Sequence, residues 1–187
     1  MNTSSYTTQN DLLLNNLKEF YKDDKYLEKM LQIVTGKSKI SLRIIDWFVT
    51  NYAKKYYTLY TIGTGETARR FKVYFDYKLK LKAYGKTRFD SFCRWERITI
   101  PYKNGTSIET TIGQLNFFKW ALENRIVNYI EENYETIEQD MNNRNSTSKR
   151  KESISDNSKT RKKREELSIS VTKSVKKEEV EIVVQFH

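Results

Sequence analysis

Large apolar side chains recur along this chain at two periods, and the switches between them divide it into elements. After a polar lead-in, Leu12, Leu13, Leu14, Leu17, Phe20 and Tyr21 fall at helical spacing. Tyr26, Leu27, Met30, Leu31 and Val34 carry that spacing on toward Gly36, a plausible stop, so the stretch predicts one helix or a broken pair. Ser41 is placed to cap a further helix with the apolar face Leu42, Ile45, Phe48, Val49 and Tyr52, and with Lys54 and Lys55 at its negative end. Residues 56–62 are aromatic and β-branched, Gly63, Thr64 and Gly65 supply turn chemistry, and Phe71, Lys72, Val73 and Tyr74 resume alternation. This predicts a β-hairpin. Tyr77, Leu79, Leu81 and Tyr84 alternate as a strand would, yet the lysines at 78, 80 and 82 and the closing Gly85 favour a short helix over residues 75–84. Residues 94–102 alternate through Trp95, Ile98 and Ile100, and Asn104 with Gly105, both tolerant of positive φ, turns the chain into a return strand over 107–111. Leu115, Phe118, Trp120, Ala121 and Leu122, then Ile126, Val127, Tyr129, Ile130, Tyr134 and Ile137, restore helical spacing to Met141, with a break expected at Asn124.

The fold class that follows is α+β: a mainly helical small domain over residues 1–141 with one or two β-hairpins, followed by a disordered basic tail. Past Met141 large apolar residues almost vanish, so residues 142–179 cannot bury enough surface to offset the entropy of ordering them. Val180, Ile182, Val184 and Phe186 then alternate, which makes 180–187 a C-terminal strand or docking segment in need of an edge to join. Aromatic residues make up 13% of the chain against 6 glycines and 1 proline, enough to build one core from rings. Cys93, the single cysteine, excludes an internal disulfide, fits a reducing compartment and reads as a small buried hydrophobe. No apolar run nears the roughly 20 residues that span a bilayer, and the polar opening lacks a signal-peptide core. A soluble intracellular protein without a membrane partner is expected.

Charge changes the picture more than composition does. The overall +10 is sorted: residues 43–103 carry a net +9, residues 104–140 a net −5 and residues 141–187 a net +5. Sorting of this size creates a field for polyanions or acidic protein surfaces and requires no catalytic site. The candidate nucleic-acid contacts are Arg69, Arg70, Lys72, Lys78, Lys80, Lys82, Arg88, Arg94 and Arg97, with Lys86 among them, provided that they share an outward face. In the tail, Lys149 and Arg150 precede Arg161, Lys162, Lys163 and Arg164 at the spacing of a bipartite nuclear localisation signal, a pattern that also fits a nonspecific electrostatic arm. Ser153, Ser155, Ser158, Thr160 and Ser168 lie among these charges, where phosphorylation would cancel them. The only histidine is His187, which removes histidine-based triads and histidine-rich metal sites. Gly63-Thr64-Gly65 lacks the Gly-Lys-Ser/Thr that completes a phosphate loop and reads as a turn. No catalytic residue, metal site or cofactor is assigned.

The most distinctive stretch is Phe89-Asp90-Ser91-Phe92-Cys93-Arg94-Trp95-Glu96-Arg97-Ile98, followed by residues 109–121, ETTIGQLNFFKWA. It resembles a family of small, largely uncharacterised proteins of the nucleocytoplasmic large DNA viruses, giant viruses among them, over roughly residues 40–133. Ser91 and Trp95 stand where that family's block has a proline and a second basic residue. The resemblance implies a viral protein of the host cytoplasm, in the virus factory or the virion, with no established activity; the tail leaves a nuclear location open. Taken as residues alone, Phe89, Phe92, Trp95, Phe117, Phe118 and Trp120 are read as core, the sharper alternative being a ring exposed beside Arg94 and Arg97 that stacks on bases. Asp90, Glu96 and Glu109 are read as ion-pair partners of Arg88, Arg94 or Arg97, since the order here lacks the Glu-x-Lys element of metal-dependent nucleases. The expected function is non-enzymatic: a nucleic-acid-associated or scaffold protein, binding DNA ahead of RNA, or acidic protein surfaces. The rivals are an adaptor that self-associates through complementary charge and an undetected nuclease or strand-transfer enzyme.

Overall fold

Thr8 opens the first helix with a reciprocal cap: its hydroxyl accepts from the Asp11 N–H while the Asp11 carboxylate accepts from the Thr8 N–H at 3.0 Å. Helix α1 (Gln9–Phe20) is followed after a short turn by α2 (Asp24–Val34), capped by Asp23, so the N-terminal periodicity is a broken pair. The computed structural model describes residues 8–154 and 177–179. Ser41 caps α3 (Leu42–Trp47) as its position predicts, its Oγ accepting from the Ile44 N–H at 3.3 Å. The helix then widens into a π-helical turn (Phe48–Tyr52) before α4 (Ala53–Lys55). Thr50 donates its hydroxyl to the Asp46 carbonyl at 2.6 Å inside that run.

The first hairpin is β1 (Leu59–Ile62) and β2 (Arg69–Lys72), antiparallel with Leu59 opposite Lys72 and Ile62 opposite Arg69. The return strand ends two residues earlier than the alternation predicts. Buried Val73, whose N–H reaches the Thr58 carbonyl at 3.2 Å, is already the first residue of α5 (Val73–Arg88). Gly85, at φ 69° and ψ 170°, kinks α5 near its end. The second hairpin pairs β3 (Arg97–Pro101) with β4 (Thr106–Thr111) around a 3-10 turn at Lys103–Gly105, and β5 (Lys177–Glu179) adds to the other edge of β4. Helices α6 (Ile112–Glu123), α7 (Ile126–Glu132) and α8 (Tyr134–Ile154) follow, with the expected interruption at Asn124 and a left-handed Arg125 at φ 54°.

Helix α6 is the centre. From Ile112 to Leu122 every side chain but Lys119 is buried, the pattern of a helix enclosed on all sides rather than one lying on a surface. Its rings meet those of its neighbours: Phe89 lies 5.4 Å from both Phe117 and Trp120, and Tyr77 5.9 Å from Trp120, centroid to centroid. Phe89, Phe117, Phe118 and Trp120 are therefore core, Phe92 is half-buried, and Trp95 is not core at all, being 76% exposed. Cys93 is buried as expected, with its thiol 3.4 Å from the Thr87 carbonyl. The α+β class holds. Among the described residues, no helix is long and apolar enough to cross a membrane. Helix α8 continues beyond Met141 to Ile154, while Arg161, Lys162, Lys163, Arg164, the phosphorylation candidates from Ser155 on and the strand expected over 180–187 lie outside the described residues.

Candidate functional site

Three helices turn polar faces toward one another beside the core. Gln9, Leu12, Leu13 and Asn16 come from α1, Asp76, Lys80, Ala83, Tyr84 and Arg88 from α5, and Asn116, Lys119, Trp120 and Glu123 from α6. On α1, on α6 and on α5 as far as the kink at Gly85 these residues recur at helical spacing, so they fall on one face. With Arg69 of β2 and Asn124 at the end of α6 they line an open cleft of about 900 Å³. The kink at Gly85 lets Arg88 join that wall: its carbonyl accepts from Asn116 Nδ2 at 2.9 Å, which fixes the backbone, and its guanidinium faces α1.

The cations here are held in a particular way. Arg69 donates to Asn124 Oδ1 at 2.9 Å, Arg88 to Gln9 Oε1 at 3.2 Å, and Lys119 to Asn16 Oδ1. An amide oxygen orients a cationic side chain without cancelling its charge, so the cleft keeps a positive field with prearranged donors. Lys119 and Arg69 also lie over the rings of Phe20 and Phe71, at 5.4 and 5.8 Å from the centroids. Of the two carboxylates present, Asp76 accepts from Trp120 Nε1 at 2.6 Å and Glu123 forms a long ion pair with Lys119, one helical turn earlier, at 3.8 Å. Several ion pairs outside the cleft are closer: Lys55 with Asp140 at 2.6 Å, Lys103 with Glu28 at 3.1 Å, Arg97 with Glu109 at 3.1 Å and Lys29 with Glu131 at 3.2 Å.

The basic residues singled out in the sequence are divided among separate places. Arg69, Lys80 and Arg88 line the cleft. Arg70 and Lys72 are exposed on β2, their alternation placing them on the face opposite Arg69 and Phe71. Lys78 and Lys82 lie one helical turn apart on the outer side of α5, with the exposed Phe75 and Leu79, away from Lys80. Lys86 and Arg94 are exposed, and Arg97 is the one of the ten that pairs with a carboxylate among the described residues. Nothing is described of the side chains of Lys149 and Arg150. Sequence reasoning missed Lys119 and the amides. The available signal was that Lys119 is the lone basic residue in a mainly apolar helix.

Glu109 pairs with Arg97 as anticipated, but Asp90 does not pair with an arginine: its Oδ1 accepts the Phe92 N–H at 2.8 Å in a local turn. A second titratable group lies nearby. Burial, then the charge of Asp90, pushes the Asp46 carboxyl up to about 6, against the opposing pull of Lys86. Burial likewise raises Asp90, and raises Tyr77, which feels both carboxylates, to about 12. Among the described residues, no group of three or more His, Cys, Asp or Glu side chains is arranged to hold a metal ion.

The fold and this site define a small α+β protein built round one enclosed helix, with an open cationic cleft along its flank. The chain belongs to the DUF7197 family, described as a family of unknown function, whose match runs over residues 2–187. It is 41% identical over 157 residues to "Uncharacterized protein L507" of Acanthamoeba polyphaga mimivirus, a match covering 81% of this chain and 60% of that relative's length. This likeness agrees with the giant-virus resemblance in the sequence. No solved structure matches the chain.

Proposed function

We propose that this is a non-enzymatic nucleic-acid-binding protein that holds the phosphate backbone in the cleft between α1, α5 and α6. The observation that carries the reading is the anchoring of Arg69, Arg88 and Lys119 by Asn124, Gln9 and Asn16, which keeps cations from three elements oriented and charged in one concave place. A surface lysine pays side-chain entropy each time it meets a phosphate. These side chains have much of that freedom removed beforehand, which favours a defined track over a diffuse basic coat. Lys80 supplies a fourth positive group on the same wall. The basic residues outside the cleft, with those of the tail, add long-range attraction that speeds encounter with DNA or RNA. Such a protein serves as a nucleic-acid-associated component of the virus factory or the particle.

The test is a titration of full-length protein against duplex DNA, single-stranded DNA and RNA at several salt concentrations, beside a variant with Arg69, Lys80, Arg88 and Lys119 all changed to Gln. Each phosphate contact contributes roughly 0.7 to 0.9 to the slope of log affinity against log salt, so the variant should lose about 3 from that slope and bind 100-fold or more weakly at low salt. An unchanged slope would move binding away from the cleft. Tight binding to a polyglutamate peptide with none to nucleic acid would transfer the site to an acidic protein partner.

A further inference from the structure

Trp95 is 76% exposed, the highest value among the large hydrophobic side chains described. Its backbone is nevertheless tied down on both sides. Before it, the Cys93 N–H reaches the Asp90 carbonyl at 3.2 Å, the Cys93 carbonyl accepts from Thr111 Oγ1 at 3.4 Å, and the buried Cys93 thiol lies against Thr87. After it, Glu96 takes a left-handed φ of 53°, an uncommon conformation for a residue with a side chain, and Arg97 then enters β3 opposite Thr111. The ring is thus held outward by an ordered corner rather than left out by a loose loop. Arg94, exposed, precedes it in the chain, and Arg97, two residues on, is paired with Glu109.

We propose that Trp95, with Arg94, is a base-stacking platform for single-stranded nucleic acid that acts together with the cleft. The proposal rests on the cleft reading above and narrows its ligand. A flat, solvent-facing indole next in the chain to an exposed arginine matches a nucleobase with its adjoining phosphate, and only an unpaired strand offers a free base face, because duplex bases are already stacked on each other. Arg88 of the cleft and Trp95 are seven residues apart in the chain, at most about 25 Å even when fully extended, which a strand of several nucleotides spans.

The test uses the full-length chain, its Trp95→Ala and Trp95→Phe variants and the cleft variant, with two labelled probes of equal length and charge: an oligodeoxythymidine of about sixteen nucleotides and an abasic deoxyribose-phosphate strand. Trp95→Ala should bind the thymidine strand roughly 10- to 100-fold more weakly and the abasic strand as wild type does, with Trp95→Phe intermediate and the thermal midpoints unchanged. Equal losses on both strands would overturn the platform, as would no loss on either while the cleft variant weakens both; the second result leaves the cleft standing. Wild-type protein that binds neither strand would remove the cleft reading and the platform with it. Loss of polyglutamate binding in Trp95→Ala with both strands unaffected would reassign the ring to a protein contact.

Discussion

Asp46 holds its carboxyl in a half-buried place where Asp90 is a like charge, Lys86 an opposing one and Tyr77 a neighbouring phenol. Burial and Asp90 make ionisation unfavourable, so the folded protein keeps the proton up to a pH of about 6, whereas an unfolded aspartate releases it near 3.8. Between those values the native state binds more protons than the unfolded one, and stability falls as pH rises. Above pH 6 the ionised carboxylate costs about 2–3 kcal/mol relative to pH 4. Asp46→Asn removes that titration. Urea unfolding should find the variant more stable than wild type by about 1–2 kcal/mol at pH 8, with the difference closing as pH falls toward 4. Nothing in the sequence announced this residue. It is one polar position in a helix pattern, and its neighbours come from residues 77, 86 and 90, which one-dimensional spacing does not bring together.

At the level of elements, Gly113 sets how α6 meets the chain segment before it. A methyl group there would stand 2.7 Å from the Thr87 carbonyl oxygen and 3.0 Å from Cys93 Cβ and Sγ, so close approach, not backbone freedom, requires glycine. Gly113→Ala must push residues 87–93 off the N-terminal turn of α6, and a loss of about 1–3 kcal/mol is expected in chemical unfolding. Because Asn116 holds the Arg88 carbonyl from the same helix, the shift should also displace Arg88 from the cleft wall. Helices were the legible part of this fold: Ser41, Gly85 and Asn124 all mark real boundaries or kinks, since caps and stops are local signals. The strand-to-helix change at Val73 was less legible, because apolar Val73 and Tyr74 fit either period until tertiary contacts decide. The cleft was legible only in part. Arg69, Lys80 and Arg88 stood out as basic, but the separation of Lys80 from Lys78 and Lys82 depends on helix phase, and the amides that orient Arg69 and Arg88 come from residues 55 and 79 positions away in the chain.

Across the whole molecule, charge sorting allows two different uses, and the structure suggests how to separate them. Most acidic residues of the stretch over 104–140 lie on α7 and the start of α8, where Glu132 and Glu135 are exposed, while the amide-anchored cations sit between α1, α5 and α6. If copies joined by fitting acidic helices to basic surfaces, neutralising those helices would dissolve the assembly. If the cleft binds nucleic acid, the same acidic residues act only through their field, as a mild repulsion of the phosphate backbone. A Glu132→Gln, Glu135→Gln variant should therefore sediment like wild type at every salt concentration and bind single-stranded DNA about 2- to 4-fold more tightly at low ionic strength. That gain should disappear near 1 M salt, where screening shortens the reach of a charge to about 3 Å. A variant that instead dissociates from a salt-sensitive oligomer, with its DNA affinity unmoved, would show that α7 and α8 are a contact surface, and that the positive middle of the chain serves self-assembly.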